Sequence, residues 1–193
     1  MNQVRSKGEQ GMRKEIRICG IGGQGVLLAG LILGKAASVY MNYHAVESEA
    51  FGPEARGGSV RSEVIISEGK IDYHRSLAVD LLVLMAEKSW DSCFMDFKED
   101  TKVLLDPDLV TKIPQLGKVY PVRAQKIAED LGNKIVTNIV MVGAITAIFG
   151  LLDENAVQKA VLDVVPPAYK DLNLTAFQQG LSEAKKVMEE IQV

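Results

Sequence analysis

Apolar and polar positions along the chain alternate between two periods. Ile16 and Ile18 alternate with Glu15 and Arg17, the period-two mark of a strand with one covered face, over about Glu15 to Gly20. After a run of glycines, Val26 to Tyr40 is apolar nearly all round: Val26, Leu27, Leu28, Ala29, Leu31, Ile32, Leu33, Ala36 and Ala37, with Lys35 marking the wet side. That spacing predicts a helix covered on two sides, by the sheet and by a neighbouring helix or another subunit. A short strand is expected at Tyr43 to Ser48. From Ser59 to Ser67, Val60, Ser62, Val64 and Ile66 oppose Arg61, Glu63 and Ile65. With Glu68-Gly69-Lys70 as a turn and Ile71 to His74 returning, this segment reads as a β-hairpin. Val79 to Ala86 is a continuous apolar run of strand length, as in a buried parallel strand.

The remainder predicts a helix at Ser89 to Phe97, strands at Lys102 to Leu105 and Lys118 to Val122, and a helix at Arg123 to Leu131 ending at Gly132. Asn138 to Gly150 is apolar almost throughout and reads as a buried helix. Asp153 caps a run whose one face is Ala156, Val157, Ala160, Val161 and Val164, stopped by Pro166-Pro167. Thr175 is expected to start a last helix with the stripe Phe177, Gly180, Leu181, Ala184, Met188 and Ile191. The order of elements predicts one Rossmann-like α/β domain, with a mostly parallel sheet, an added β-hairpin and a helical C-terminal cap. Met1 to Gly11 reads as an extension outside the fold, which an expression vector would equally supply, and Met12 to Val193 as the domain.

Composition narrows the chemistry. In 193 residues, 47% hydrophobic and 24% charged, the formal net charge is -3, so no basic excess argues for a nucleic-acid partner. The longest apolar run, Ile139 to Leu152, falls short of the about 20 residues that span a bilayer. A cytoplasmic protein without a membrane partner is expected. Cys19 and Cys93 lie in different expected elements, too few for an iron–sulfur cluster or zinc site of about four soft ligands. They read as small apolar residues in a reducing cytosol. His44 and His74 have no companions at ligand spacing, and no nucleophile–base–orienter set is apparent. The chain is therefore expected to hold no metal and no catalytic residue of its own.

Two glycine stretches carry the remaining signal. Gly20, Gly22 and Gly25, with Gly23 and Gln24 between them, fit the pattern G-x-G-x-x-G between a strand and a helix. There the exposed N–H groups at a helix start favour an anion. Glu47 or Glu49 stands where an acid would read a ribose hydroxyl. The same glycines also suit a plain tight turn that lets helix and sheet pack closely. The second stretch is Gly52-Pro53-Glu54-Ala55-Arg56-Gly57-Gly58. Arg56 offers a planar fork for carboxylate or phosphate, and Glu54 an orienting partner; a stiffening Arg–Glu pair in a surface loop is the plainer alternative. Loops that follow successive strands of a parallel sheet emerge on one edge, so the two stretches should face one another across a crevice.

Together these stretches resemble the gamma subunit, or gamma domain, of 2-oxoacid:ferredoxin oxidoreductases. The likeness extends to Leu81-Leu82-Val83-Leu84-Met85-Ala86, to the step Leu105-Asp106-Pro107-Asp108, and to Asn138 opening an apolar helix that contains Gly143. The resemblance implies a multisubunit enzyme that oxidatively decarboxylates a 2-oxoacid with coenzyme A, giving an acyl-CoA, carbon dioxide and reduced ferredoxin. It implies alpha and beta subunits as partners, with a delta or ferredoxin-like subunit in some members, and ferredoxin as acceptor. Thiamine diphosphate, magnesium and the iron–sulfur clusters would sit on those partners, with coenzyme A as co-substrate. Gly52, Pro53, Glu54, Arg56, Gly57 and Gly58 would face the active site, Arg56 toward an anionic group, and Gly22 to Gly25 would shape the same edge. The sequence Glu54-Ala55-Arg56-Gly57-Gly58 is more similar to the 2-oxoglutarate type than to the pyruvate type; indolepyruvate and branched-chain types are related. The alternative is a free-standing protein of the same fold that binds NAD(P) or another phosphate ligand.

Overall fold

The computed structural model describes residues 11–54, 57–113, 115 and 117–192. Its six strands are β1 (Arg13–Ile21), β2 (His44–Phe51), β3 (Ser59–Ser67), β4 (Val79–Leu84), β5 (Phe97–Leu105) and β6 (Val119–Pro121). They form one sheet in the order β2-β3-β1-β4-β5-β6. Five strands run in one direction. Only β3 opposes them, pairing antiparallel with both β1 and β2, while β1, β4, β5 and β6 pair in parallel. The helices are α1 (Val26–Lys35), continued by a π-helical turn at Ala36–Tyr40, then α2 (Trp90–Cys93), α3 (Ala124–Asp130), α4 (Thr137–Phe149), α5 (Glu154–Val164) and α6 (Lys170–Gln192).

Register divides the sheet into two unlike faces. One carries Ile16, Ile18, Val60, Val64, Ile66, Leu81, Val83 and Leu104, joined in one core with α1 and α3 to α6. The other carries the cross-strand row Ser48, Glu63, Arg17, Leu82, Val103 and the row Ala50, Arg61, Cys19, Leu84, Leu105. Its β4–β5 half is apolar and is covered by Cys93, Val110 and their neighbours. Its β1–β3 half is charged. There the Arg17 guanidinium, 1% exposed, donates from Nε to Glu63 Oε1 at 2.8 Å and from Nη1 to the Cys93 carbonyl at 3.1 Å. A buried charge is tolerable only when paired and hydrogen-bonded in this way.

Close helix packing comes from two glycines. A methyl group on Gly143 of α4 would lie 2.8 Å from the Leu181 nitrogen of α6 and nearer still to the Phe177 oxygen. One on Gly180 of α6 would lie 2.7 Å from the Val140 carbonyl carbon. The two backbones touch because neither position carries a side chain. Asp153 caps α5 as its position suggests, its side chain accepting from Ala156 N at 2.9 Å.

Several expectations are corrected. The hairpin is β2–β3, turned by loop 52–58 and closed by Gly52 N to Ser59 O at 2.7 Å. Ile71 to His74 is not a strand, because β1 and β2 already occupy both edges of β3. The helix expected at Ser89 to Phe97 shrinks to a 3-10 turn (Glu87–Ser89) and α2, since Phe97 opens β5. The last helix begins at Lys170 rather than Thr175, on a 3-10 turn at Pro167–Tyr169 where a proline leads. Helix α4 is buried as expected. Helix α1 is covered on two sides as expected, by the sheet and by α4 and α5; Leu31 of α1 and Val39 of the π-helical turn remain exposed. Cys19 and Cys93, read as free, are joined in a disulfide. Although 74 residues apart, α2 folds back over the end of β1 and brings their Cα atoms to 6.4 Å, within bridging range. The extension Met1 to Gln10 lies outside the described residues. Among those described, no helix is long and apolar enough to cross a membrane.

Candidate functional site

Strands β1, β2, β4 and β5 all end at one edge of the sheet, and their loops interlock there. The first glycine turn is built around Gln24. Its Oε1 accepts from Ile21 N at 2.8 Å and its Nε2 donates to the Met85 carbonyl at 2.9 Å, clamping the ends of β1 and β4. Gly20 leaves room for that clamp, since a methyl group there would fall 2.6 Å from Gln24 Oε1. Gly25, in the left-handed region at φ 71, ends the turn as the residue before α1. Asn138, at the start of α4, packs on Gly25 and donates to its carbonyl at 3.4 Å.

The second stretch meets the first directly: Gly22 N donates to the Gly58 carbonyl at 3.0 Å. The expected adjacency holds by a different route, because β2 runs parallel to β1 with β3 inserted between them. Pro53 and Glu54 are exposed, and the Glu54 carboxylate lies over Gly52 and Gly58, where a methyl group on either would crowd it at 2.6 and 2.8 Å. Arg56, with Ala55, lies outside the described residues. Lys88, from the turn after β4, donates to the Gly57 carbonyl at 3.1 Å and stands 3.7 Å from Glu54 Oε1. Next along the edge, Glu87 Oε2 accepts from Thr111 N at 2.8 Å and Lys112 N at 3.1 Å. The Thr111 hydroxyl first, then these two N–H groups, hold the Glu87 carboxyl below the usual range.

Asp106 anchors the far side. Fully buried, it accepts from Asp108 N at 3.0 Å and from Gln125 N at the start of α3 at 2.8 Å. Burial pushes its carboxyl up against those bonds. A cavity of about 390 Å³ opens beside the glycine turn, lined among others by Gly23, Gly25, Leu28, Val165 and Tyr169, with Ile135 81% exposed at the rim.

Glu47 does not read this edge. It faces α1 at Gly30 and accepts from the Ser62 hydroxyl at 2.7 Å. Burial pushes its pKa up, the Ser62 bond opposing and Glu49 assisting. Its partner is a serine of β3, so Glu47 is turned away from this edge; Glu49, the other candidate, lies exposed on β2. Among the described residues, the edge therefore presents Lys88, the Glu54 and Glu87 carboxylates and an apolar cavity. Sequence reading missed Lys88, Ile135 and Tyr169. No spacing rule connects Lys88 to loop 52–58, although its place directly after an apolar parallel strand puts it on the ligand edge of such sheets.

Residues 15–183 match the family described as pyruvate ferredoxin/flavodoxin oxidoreductase. The chain is 43% identical over 191 residues to the KorC subunit of 2-oxoglutarate synthase from Methanocaldococcus jannaschii, covering 97% of this chain and 100% of that one. It superimposes with a TM-score of 0.83 and 41% identity on the crystal structure of a keto/oxoacid ferredoxin oxidoreductase gamma subunit from Geobacter sulfurreducens, covering 91% of this chain and 98% of that one. The same fold recurs, at 21% identity and a TM-score of 0.79, in 2-oxoglutarate:ferredoxin oxidoreductase from Magnetococcus marinus, where it accounts for 32% of that chain and 93% of this one. With most of its length matched, the chain belongs to the pyruvate ferredoxin/flavodoxin oxidoreductase family.

Proposed function

We propose that this chain is the gamma subunit of a 2-oxoglutarate:ferredoxin oxidoreductase and forms the coenzyme A edge of its active site. The observation that carries the reading is the Gly22–Gly58 backbone bond, which fuses the two glycine stretches into one loop surface. Such a surface can contact an anionic ligand through the Lys88 ammonium. Identity of 43% to a KorC subunit of 2-oxoglutarate synthase over nearly the full length favours 2-oxoglutarate over pyruvate.

Iron–sulfur clusters do not fit this chain. Its two cysteines are spent on each other, and no group of three or more His, Cys, Asp or Glu is placed to hold a metal among the described residues. Thiamine diphosphate, magnesium and the clusters belong, on this reading, to alpha, beta and delta or ferredoxin-like partner subunits. The complex passes electrons to ferredoxin in the cytoplasm. Arg56 contributes a charge-assisted contact to a carboxylate or phosphate at the same edge.

The test is reconstitution of the complex with and without this chain, assayed for acceptor reduction with 2-oxoglutarate or pyruvate and coenzyme A. The reading expects activity to require this chain and to be higher with 2-oxoglutarate. Activity that is indifferent to the chain would refute it. In the complex, Arg56→Ala should raise KM for coenzyme A or 2-oxoglutarate with assembly intact; unchanged kinetics would remove Arg56 from the site.

A further inference from the structure

The segment from Ala86 to Asp96 lies on the second face of the sheet without a ladder partner of its own. Its helical turns span only Glu87–Ser89 and Trp90–Cys93, far below the length at which a helix persists unaided. Its ends are held by the Glu87 bonds to Thr111 and Lys112 and by Val79 N on the Asp96 carbonyl, and its middle by a second set of ties. Arg17 Nη1 donates to the carbonyls of Cys93 and Met95, Arg61 Nη1 donates to the Ser92 carbonyl at 2.7 Å, and the disulfide joins Cys93 to Cys19. At the near end of the segment, Lys88 reaches Gly57 and Glu54 in the second glycine loop. Cys19, at the other end of the bond, directly precedes the first glycine turn. The disulfide thus fastens the base of one glycine stretch to the element that holds the other.

We propose that Cys19 and Cys93 form a reversible dithiol–disulfide pair that regulates the rigidity of the Gly57-Gly58 end of the second glycine loop. The consequence for activity rests on the reading of that loop as the ligand edge; the change in rigidity does not. Disulfides in reducing compartments are rare, and those that occur are usually redox-sensing or catalytic. Both sulfurs are fully buried among Leu82, Leu84, Val103, Leu105 and Val110, so exchange requires local opening of the 86–96 segment. In the reductive direction, a thiolate of a dithiol attacks one sulfur and the other cysteine leaves as a thiolate. The second thiol of the reagent then displaces the first cysteine. One disulfide of the protein is exchanged for one in the reagent, and two cysteine thiols remain after protonation. A low-molecular-weight disulfide reverses the sequence.

The full chain is equilibrated with dithiothreitol or with oxidised glutathione, and its thiols are counted by alkylation and mass spectrometry. Amide hydrogen exchange is then followed in both states. The oxidised chain should show no alkylated cysteine and the reduced chain two. Peptides covering Gly22, Gly57-Gly58 and 86–96 should exchange about fivefold faster when reduced, with α4 unchanged. The Lys88→Met chain, oxidised, should lose the added protection at Gly22 and Gly57-Gly58 and keep the bond. Two free thiols under oxidising conditions, or equal exchange at Gly22 and Gly57-Gly58 in both states, would overturn the proposal. The wild-type comparison needs no cysteine substitution, so a misfolded variant cannot obscure it. No substrate or partner is required either, so this outcome is independent of the reconstitution assay.

Discussion

Replacing Gly180 by alanine sets two effects against each other, and the structure decides the sign. Intrinsic helix propensity favours alanine by about 1 kcal/mol. Against it, the new methyl group would lie 2.7 Å from the Val140 carbonyl carbon and closer to its oxygen. The obstacle is backbone of a buried helix, which cannot rotate away as a side chain can. Relief requires α4 and α6 to separate by roughly an ångström along their contact, and overpacking of this kind costs up to about 3 kcal/mol. The net expectation is a loss of about 2 kcal/mol. At about 2–4 °C per kcal/mol for a chain of this size, the melting temperature should fall by about 4–8 °C. Gly34 of α1 supplies the control: it too is helical, but a methyl group there meets nothing within 4 Å. Gly34→Ala should therefore stabilise by about 0.5–1 kcal/mol. Thermal unfolding followed by circular dichroism, with urea titrations at 25 °C, measures both. A Gly180→Ala chain as stable as the wild type would refute the argument that backbone contact fixes the α4–α6 spacing.

Three further outcomes are open to direct measurement. Arg17→Ala leaves the buried Glu63 carboxylate with the Arg61 guanidinium, 3.4 Å away, as its remaining cation. It should cost about 3 kcal/mol in urea unfolding, the low end for breaking a buried pair, and far more than an exposed pair such as Lys70–Asp72 would on the same test. Asp153→Ala removes the cap on α5 and should cost about 1 kcal/mol. Asp80 governs part of the acid limb. Burial, the largest single influence, pushes its carboxyl up, but bonds from Lys98 and Lys14 and from Glu15 N–H together hold it below 3.8. The stability it supplies is complete above that unfolded-state value and is lost as pH falls through the lower folded-state one. Asp80→Asn should accordingly flatten the decline of stability below about pH 3.8; an unchanged acid limb would contradict the assignment.

The legible parts of the fold were those where one period dominated. The run Val79 to Ala86, the apolar stretch after Asn138 and the Asp153 cap each carry a local signal that tertiary structure left intact. The glycine stretches were legible as a pair because a parallel arrangement brings the ends of β1 and β2 to the same edge. What failed was pairing. The alternation of Ser59 to Ser67 fits a strand with either neighbour, and nothing local distinguishes a turn at Glu68-Gly69-Lys70 from one at loop 52–58. Gly52, as it proved, closes the latter through its bond to Ser59. Cys19 with Cys93, and Lys88 with Gly57, escaped for a related reason. Both contacts depend on how a short, weakly periodic segment crosses the sheet, and side-chain spacing carries no record of that path.

The Arg17–Glu63 pair also acts as a positional key for the site. A slip of β3 by one residue would turn Arg61 and Glu63 into the helix-covered core and expel Val60 and Val64. A slip by two keeps the faces but not the charges. One way it sets Arg17 against Arg61 and Glu15 against Glu63; the other leaves Arg17 opposite Ile65 and Glu63 opposite Cys19. Only the native alignment neutralises both charges, and only there does Gly58 stand level with Gly22. An ion pair halfway along the sheet therefore proofreads the placement of a loop at its end.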